Sequence, residues 1–219
     1  MGQVGARGMA RRMGLAMSRR ASFIQLPRLA ALALSLAACR HAAPLDTASL
    51  DNAGMSYDAI QQLRALDIDA AEVSELARAR AGGLSEGGCI ETVRIFHGRH
   101  EVFHAGDAIA GLAGAGMSEE RILELVRLDQ VGPNAGEFQA MRLAGLSEAT
   151  VLEVARHRAA GQPVLAGASL ARLRNAGLRD ATLLELARRG VPDSAVPAIL
   201  TGRRHGATDA QILREFRGS

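Results

Sequence analysis

From residue 54 onward, apolar and polar positions follow a helical period, and the whole pattern returns every 29 to 33 residues. GLSEGGCIETVR from Gly83, GMSEERILELVR from Gly116, GLSEATVLEVAR from Gly145, GLRDATLLELAR from Gly177 and GATDAQILREFR from Gly206 align in register. DIDAAEVSELAR from Asp67 reads as a divergent sixth copy. Self-similarity at such a period marks a repeat architecture.

Each position of the unit has a physical reason. The glycine suits the residue just past a helix, where a left-handed conformation closes the last turn. An apolar residue follows (Leu84, Met117, Leu146, Leu178), then Ser85, Ser118, Ser147 or Thr208 as N-cap of the next helix. Acidic residues come next, where the helix dipole favours them. Thr208 with Gln211, and Asp69 with Glu72, have the spacing of a capping box.

The second helix carries residues such as Ile122, Leu123, Leu125 and Val126 on a broad inward stripe. A first helix is visible as DAIAGLAGAG before Met117, EFQAMRLAG before Leu146 and SLARLRNAG before Leu178. Pro133, Pro163 and Pro192 are expected in the connectors between units, where helices stop. Glu75–Arg78, Glu91–Arg94, Glu124–Arg127, Glu153–Arg156 and Glu185–Arg188 recur at i, i+3. They predict salt bridges on a solvated face, each worth about 0.2–0.5 kcal/mol. No unit can bury its stripe alone, so neighbours must stack. The expected fold is all-α: an array of short helix-turn-helix repeats over residues 54–219, solenoid-like or closed into a compact helical bundle.

Composition agrees. The 219 residues are 48% hydrophobic but 3% aromatic, with no Trp, which argues against an all-β fold. It also removes the stacking residues that sugar and single-strand nucleic-acid sites use. All 26 basic residues are Arg.

The first 38 residues are an address. They hold six Arg and no acid, and end in the apolar run Leu29–Ala38. Ten helical residues span about 15 Å, half a hydrocarbon core, so the run is an export-signal core rather than a membrane span. Leu36-Ala37-Ala38-Cys39 resembles the lipobox of bacterial lipoproteins. That resemblance implies a signal peptide over 1–38 and lipidation of Cys39, the new N-terminus; the alternative is ordinary cleavage near Ala42-Ala43. Arg40 stands where enteric lipoproteins retained at the inner membrane carry Asp, which implies the outer membrane, facing the periplasm. Met13 and Met17 are alternative starts, and Ser18–Phe23 weakly resembles a twin-arginine signal. Residues 39–53 are small and polar, and are expected to form a flexible tether.

Without the signal, 20 Arg face 23 acids, a formal charge of −3, so the basic pI of the whole chain gives no nucleic-acid reading. Only residues 171–219 are locally basic, with nine Arg against five acids. The repeats resemble the short helical hairpins, with a D-x-I-x-x-L-x-x-x-G-h-S pattern (h apolar), of many bacterial envelope proteins. The resemblance covers roughly 57–217 and implies architecture only. The function expected is a non-enzymatic, lipid-anchored envelope protein whose repeats serve as an interaction scaffold. Its partners would be the membrane, through Cys39, and another envelope protein or peptidoglycan; no cofactor, catalytic residue or nucleic acid is implied.

One string offers different chemistry. His100-Glu101-Val102-Phe103-His104 spells H-E-x-x-H, which in zinc hydrolases sets two His on one helical face with a Glu to activate water. The repeat register places it in a connector bracketed by Gly98 and Gly106. A zinc-dependent hydrolase is therefore the alternative function, and a non-catalytic metal site with His97 a further one. Otherwise Phe103 is a core residue flanked by polar His and Glu. Cys89 aligns with Ile122, Val151, Leu183 and Ile212 and is expected in the core, as an inert thiol. Ala176–Ala181 only faintly resembles the DNA-binding helix-hairpin-helix. His41 belongs to the tether; His157 and His205 are expected on helix or turn surfaces.

Overall fold

The computed structural model describes residues 45–216; Cys39, the signal peptide and the first part of the tether lie outside them. Every regular element among the described residues is a helix, and the α-helices lie in two layers. The odd layer contains α1 (Ala48–Asn52), α3 (Ala70–Ala81), α5 (Gly106–Gly114), α7 (Val131–Leu143), α9 (Gly167–Asn175) and α11 (Val196–Arg204). The even layer contains α2 (Tyr57–Ala65), α4 (Glu86–Gly98), α6 (Glu119–Arg127), α8 (Glu148–Ala159), α10 (Asp180–Arg188) and α12 (Asp209–Glu215). Each helix packs on the helix two places along, within its own layer. The chain is therefore a stack of six helix pairs, the solenoid-like form of the expected fold. One continuous core runs through it, from Leu50 to Ile212.

Two left-handed turns punctuate each pair. Gly54, Gly83, Gly116, Gly145, Gly177 and Gly206 end the odd helices with φ between 76° and 111°. The amide after each glycine, for example Leu146 N to Met141 O at 3.1 Å, completes a Schellman cap. Gly145→Val should lower stability by about 1–2 kcal/mol, because a β-branched side chain resists φ of +80°. An unchanged melting temperature would refute the turn assignment.

Three sequence expectations need correction. Asp67 does not open a divergent copy of the glycine turn. It is the left-handed residue (φ 60°) between α2 and α3, in the other class of turn. The first true copy begins instead at Gly54, 29 residues before Gly83, as GMSYDAIQQLRA. The tether is also shorter than residues 39–53. Residues 48–52 form α1, and Leu50 is fully buried against the array, so one apolar residue in a polar stretch docks it. Finally, Pro133 lies inside the first turn of α7, not in a connector. The first amides of a helix have no internal acceptor, so a proline there breaks nothing. Pro163 and Pro192 do lie outside the α-helices.

The salt bridges also differ from expectation. Arg78 pairs with Glu75, and Arg156 reaches Glu153 at 3.4 Å, within their helices. Arg127, however, pairs with Glu91 of the preceding repeat at 3.1 Å, and Arg156 with Glu124 at 2.5 Å. Glu185 takes Arg189 at 2.8 Å rather than Arg188. Helices stacked in one layer bring a carboxylate of one turn beside a guanidinium of the next repeat, and i, i+3 spacing alone cannot reveal that competition.

Candidate functional site

The six even helices share a device that links neighbours. The first residue of each later even helix is acidic, and its carboxylate accepts from the N-cap residue of the preceding repeat. Glu86 accepts from Ser56 N and Oγ at 2.8 and 2.7 Å. Glu119 accepts from Ser85 N and Oγ at 2.6 and 2.7 Å, and Glu148 from Ser118 N and Oγ at 2.6 and 2.9 Å. With the shorter aspartate, a threonine helps. Asp180 accepts from Ser147 N and Thr150 Oγ1, and Asp209 from Arg179 N and Thr182 Oγ1. These bonds give the opening acids a role beyond favouring the helix dipole. Their bonds to the Ser56 hydroxyl and amide hold Glu86 below the ordinary carboxylate range.

A second link explains part of the arginine usage. Arg142 donates through one Nη to Leu146 O of its own turn (2.6 Å) and through the other to Gly116 O of the previous turn (2.9 Å). Arg80 and Arg203 repeat the arrangement, onto Leu84 and Gly54 and onto Ala207 and Gly177. A planar fork spans two carbonyls where an ammonium is a point charge.

At the odd-layer entry, Glu137 receives two 2.6 Å bonds from Arg158 and one from Gly167 N. Arg158 first, against partial burial, holds Glu137 below the ordinary carboxylate range. At Asp209, burial raises the pKa, but bonds from Thr182 and Arg179 outweigh it and the net direction is down. A carboxylate with a depressed folded pKa stabilises the fold above its unfolded pKa, and this is lost as pH falls through the folded one. The array should hold this contribution in full above about pH 4.5 and lose it progressively below. Glu137→Gln should flatten the acid limb of melting temperature against pH; an identical slope would refute the pairing.

The HEVFH segment is part of this framework. His100 has φ of 61° and ends α4 where Asp67, Asp129, Gly161 and Gly190 end α2, α6, α8 and α10. Its amide bonds His97 O at 2.9 Å, and Glu101 N bonds Phe96 O at 3.0 Å, closing a Schellman cap. Residues 101–105 are not helical, so His100 and His104 do not share a helical face. Glu101 pairs with Arg99 at 3.0 Å, and His104 Nδ1 donates to Val102 O at 2.9 Å. His97 Nε2 donates to Glu72 Oε1 at 2.8 Å. That same oxygen accepts from Phe103 N at 2.8 Å, while Oε2 accepts from Asp69 N in a complete capping box. Glu72 is only 2% exposed.

Phe103 is fully buried, edge-on to Phe96 with ring centroids 5.3 Å apart. Arg99 covers Phe96 at 4.8 Å and donates to Val126 O of the next repeat. The four residues suggested for zinc are thus a turn residue, a salt-bridge partner and two His bonded to carboxylate or carbonyl. Among the described residues no three His, Cys, Asp or Glu side chains are placed to share a metal ion. This arrangement does not fit a zincin ligand set.

Cys89 lies in the core with Ile122, Val151, Leu183 and Ile212. Burial pushes its thiol up to about 12, so it stays a thiol at neutral pH. His205 is exposed, with Nδ1 donating to Thr201 O at 2.9 Å. His157 departs from expectation: its side chain is only 13% exposed and its Nε2 lies 3.5 Å from Glu153. The exposed large apolar residues among those described are Tyr57, Val102 and Leu143, at 74%, 51% and 71%. No helix among the described residues is long and apolar enough to cross a membrane. No family model and no curated protein matches the chain.

Proposed function

We propose that this chain is a non-enzymatic, lipid-anchored scaffold of the bacterial cell envelope. Cys39 carries the lipid that holds it at the membrane, in the outer membrane facing the periplasm. The helical repeats dock another envelope protein. One observation carries the scaffold half: the repeats are joined by acid-to-cap bonds, and around HEVFH His97 bonds Glu72, Glu101 pairs with Arg99 and His100 serves as a turn residue. What remains toward solvent is an extended repeated surface, the usual means by which arrays bind other chains. The anchor half rests on the basic segment, apolar run and lipobox-like Leu36–Cys39.

Each half has its own experiment. Cys39→Ala should move the protein from the membrane fraction to the soluble one; continued membrane association would overturn lipid anchoring. Tagged full-length protein, solubilised from native membranes in mild detergent, should retain a defined envelope partner. That partner should be lost with Leu143→Asp, a change at an exposed position that leaves the core intact. Retention of the same proteins by the variant would remove α7 from the docking face, and capture of peptidoglycan fragments alone would replace the protein partner. Photo- or carboxyl-directed cross-linkers are needed, since the chain has no Lys.

A further inference from the structure

We infer that the fourth and fifth repeats form a binding site for a small phosphate-class oxyanion, in the crevice between the ends of α8 and α10. The crevice measures about 330 Å³ and is lined by His157, Gln162, Pro163, Arg188, Arg189 and Gly190.

The repeat register marks the place as an exception. Ten residues after the N-cap, the first three even helices have Leu66, Ile95 and Leu128, all packed against the core. The next two have His157 and Arg189. Two adjacent repeats therefore exchange an apolar packing position for a polar one, and both residues line one crevice, with the Arg189 guanidinium itself bonded to Glu185 and to the carbonyls of Leu213 and Phe216.

The charge ladder also breaks here. Arg188 holds the position of Arg127 and Arg156, which pair with Glu91 and Glu124 of their preceding repeats. Its counterpart, Glu153, is taken by Arg156 at 3.4 Å and His157 at 3.5 Å. Glu185, the carboxylate within its own helix, is taken by Arg189 at 2.8 Å. Among the described residues Arg188 is left with no carboxylate, at the lip of a crevice whose other charges are paired. His157 Nδ1 is buried without a hydrogen-bond partner, and such an atom costs free energy until something bonds it. Gly190 borders the ring: at its φ of 62°, a Cβ would lie 3.0 Å from Pro163 O and 3.7 Å from His157 Cε1.

The crevice draws polar residues from three segments: Arg188 from α10, His157 from α8 and Gln162 from the connector. A tetrahedral oxyanion presents acceptors in several directions at once, whereas a carboxylate presents them in one plane. Charge-assisted bonds to such a group are the strong ones. The shared chemistry belongs equally to free phosphate and to a phospholipid headgroup.

The test uses the full chain in mild detergent and follows its imidazole resonances by NMR, with His157→Gln assigning the His157 signals. Inorganic phosphate should shift them saturably, while sodium chloride at matched ionic strength should not. Arg188→Ala should weaken phosphate binding about tenfold or more, and Arg188→Lys should recover part of it. Arg188 is exposed and unpaired among the described residues, so both variants should fold and melt like the parent. A second arm with phosphatidylglycerol vesicles separates the sources: saturation by vesicles but not by free phosphate assigns a headgroup site. No saturable shift in either arm, or a shift of equal affinity in Arg188→Ala, would overturn the inference.

Discussion

Glu72→Ala is expected to destabilise the array by about 3–5 kcal/mol, although Glu72 is a charged residue in a helix that could be read as solvated. The loss is not mainly of an ion pair. Truncation leaves the Phe103 amide and the His97 ring without an acceptor between two repeats, and it dissolves the capping box of α3. Each buried donor left unbonded costs about 1–3 kcal/mol. Glu72→Gln keeps the shape and one acceptor oxygen, and should cost about 1–2 kcal/mol. Denaturant unfolding measures both, and native-state hydrogen exchange should show the Phe103 amide losing protection first. A loss below about 1 kcal/mol for the alanine variant would mean that water replaces the carboxylate and that the connector is held by Phe103 packing alone.

The second large effect is a pair of opposite signs. Gly106 opens α5 against α3, and a Cβ there would overlap the carbonyl oxygen of Glu75, a backbone atom that cannot rotate away. Gly106→Ala should therefore force α3 and α5 apart and cost about 3 kcal/mol. Gly136 lies inside α7, exposed, with no atom near the place its Cβ would fill. Gly136→Ala should stabilise by about 0.5–1 kcal/mol, since alanine restricts the unfolded chain and favours the helix. Thermal melts of the two variants should move in opposite directions. Two shifts of the same sign would place the close approach between α3 and α5 elsewhere.

Much of the fold is legible in the sequence because the repeat is written in local chemistry. The glycine turns, the capping boxes at Asp69 and Thr208, and the burial of Cys89 and Phe103 all depend on neighbours within a few residues or on register. What local reading misses is set between repeats. Glu148 looks like any first-turn acid until the stack brings it to the Ser118 amide, thirty residues earlier. Ser118 bonds Glu148 through its hydroxyl but accepts no amide of its own helix, whereas Ser56 and Ser85 do both. Arg127 and Arg188 carry the same i−3 glutamate, yet neither is seen bound to it. Aligning the acids that open the even helices with the serines one repeat back would have found the first of these links. The HEVFH string fails for a related reason: its five residues match a catalytic motif, while register assigns His100 to a turn that in other repeats is Asp or Gly.

The acid-to-cap links run one way, since each even helix from α2 to α10 has its N-cap amide closed by a carboxylate that comes about thirty residues later in the chain. During synthesis no such helix is complete when its own last residue emerges. It must wait for the next repeat to be made, so maturation trails elongation by one unit. A nascent chain halted just after Arg127 would have Ser85 closed by Glu119 but Ser118 still open to water, and its most recently made helix would be its least protected.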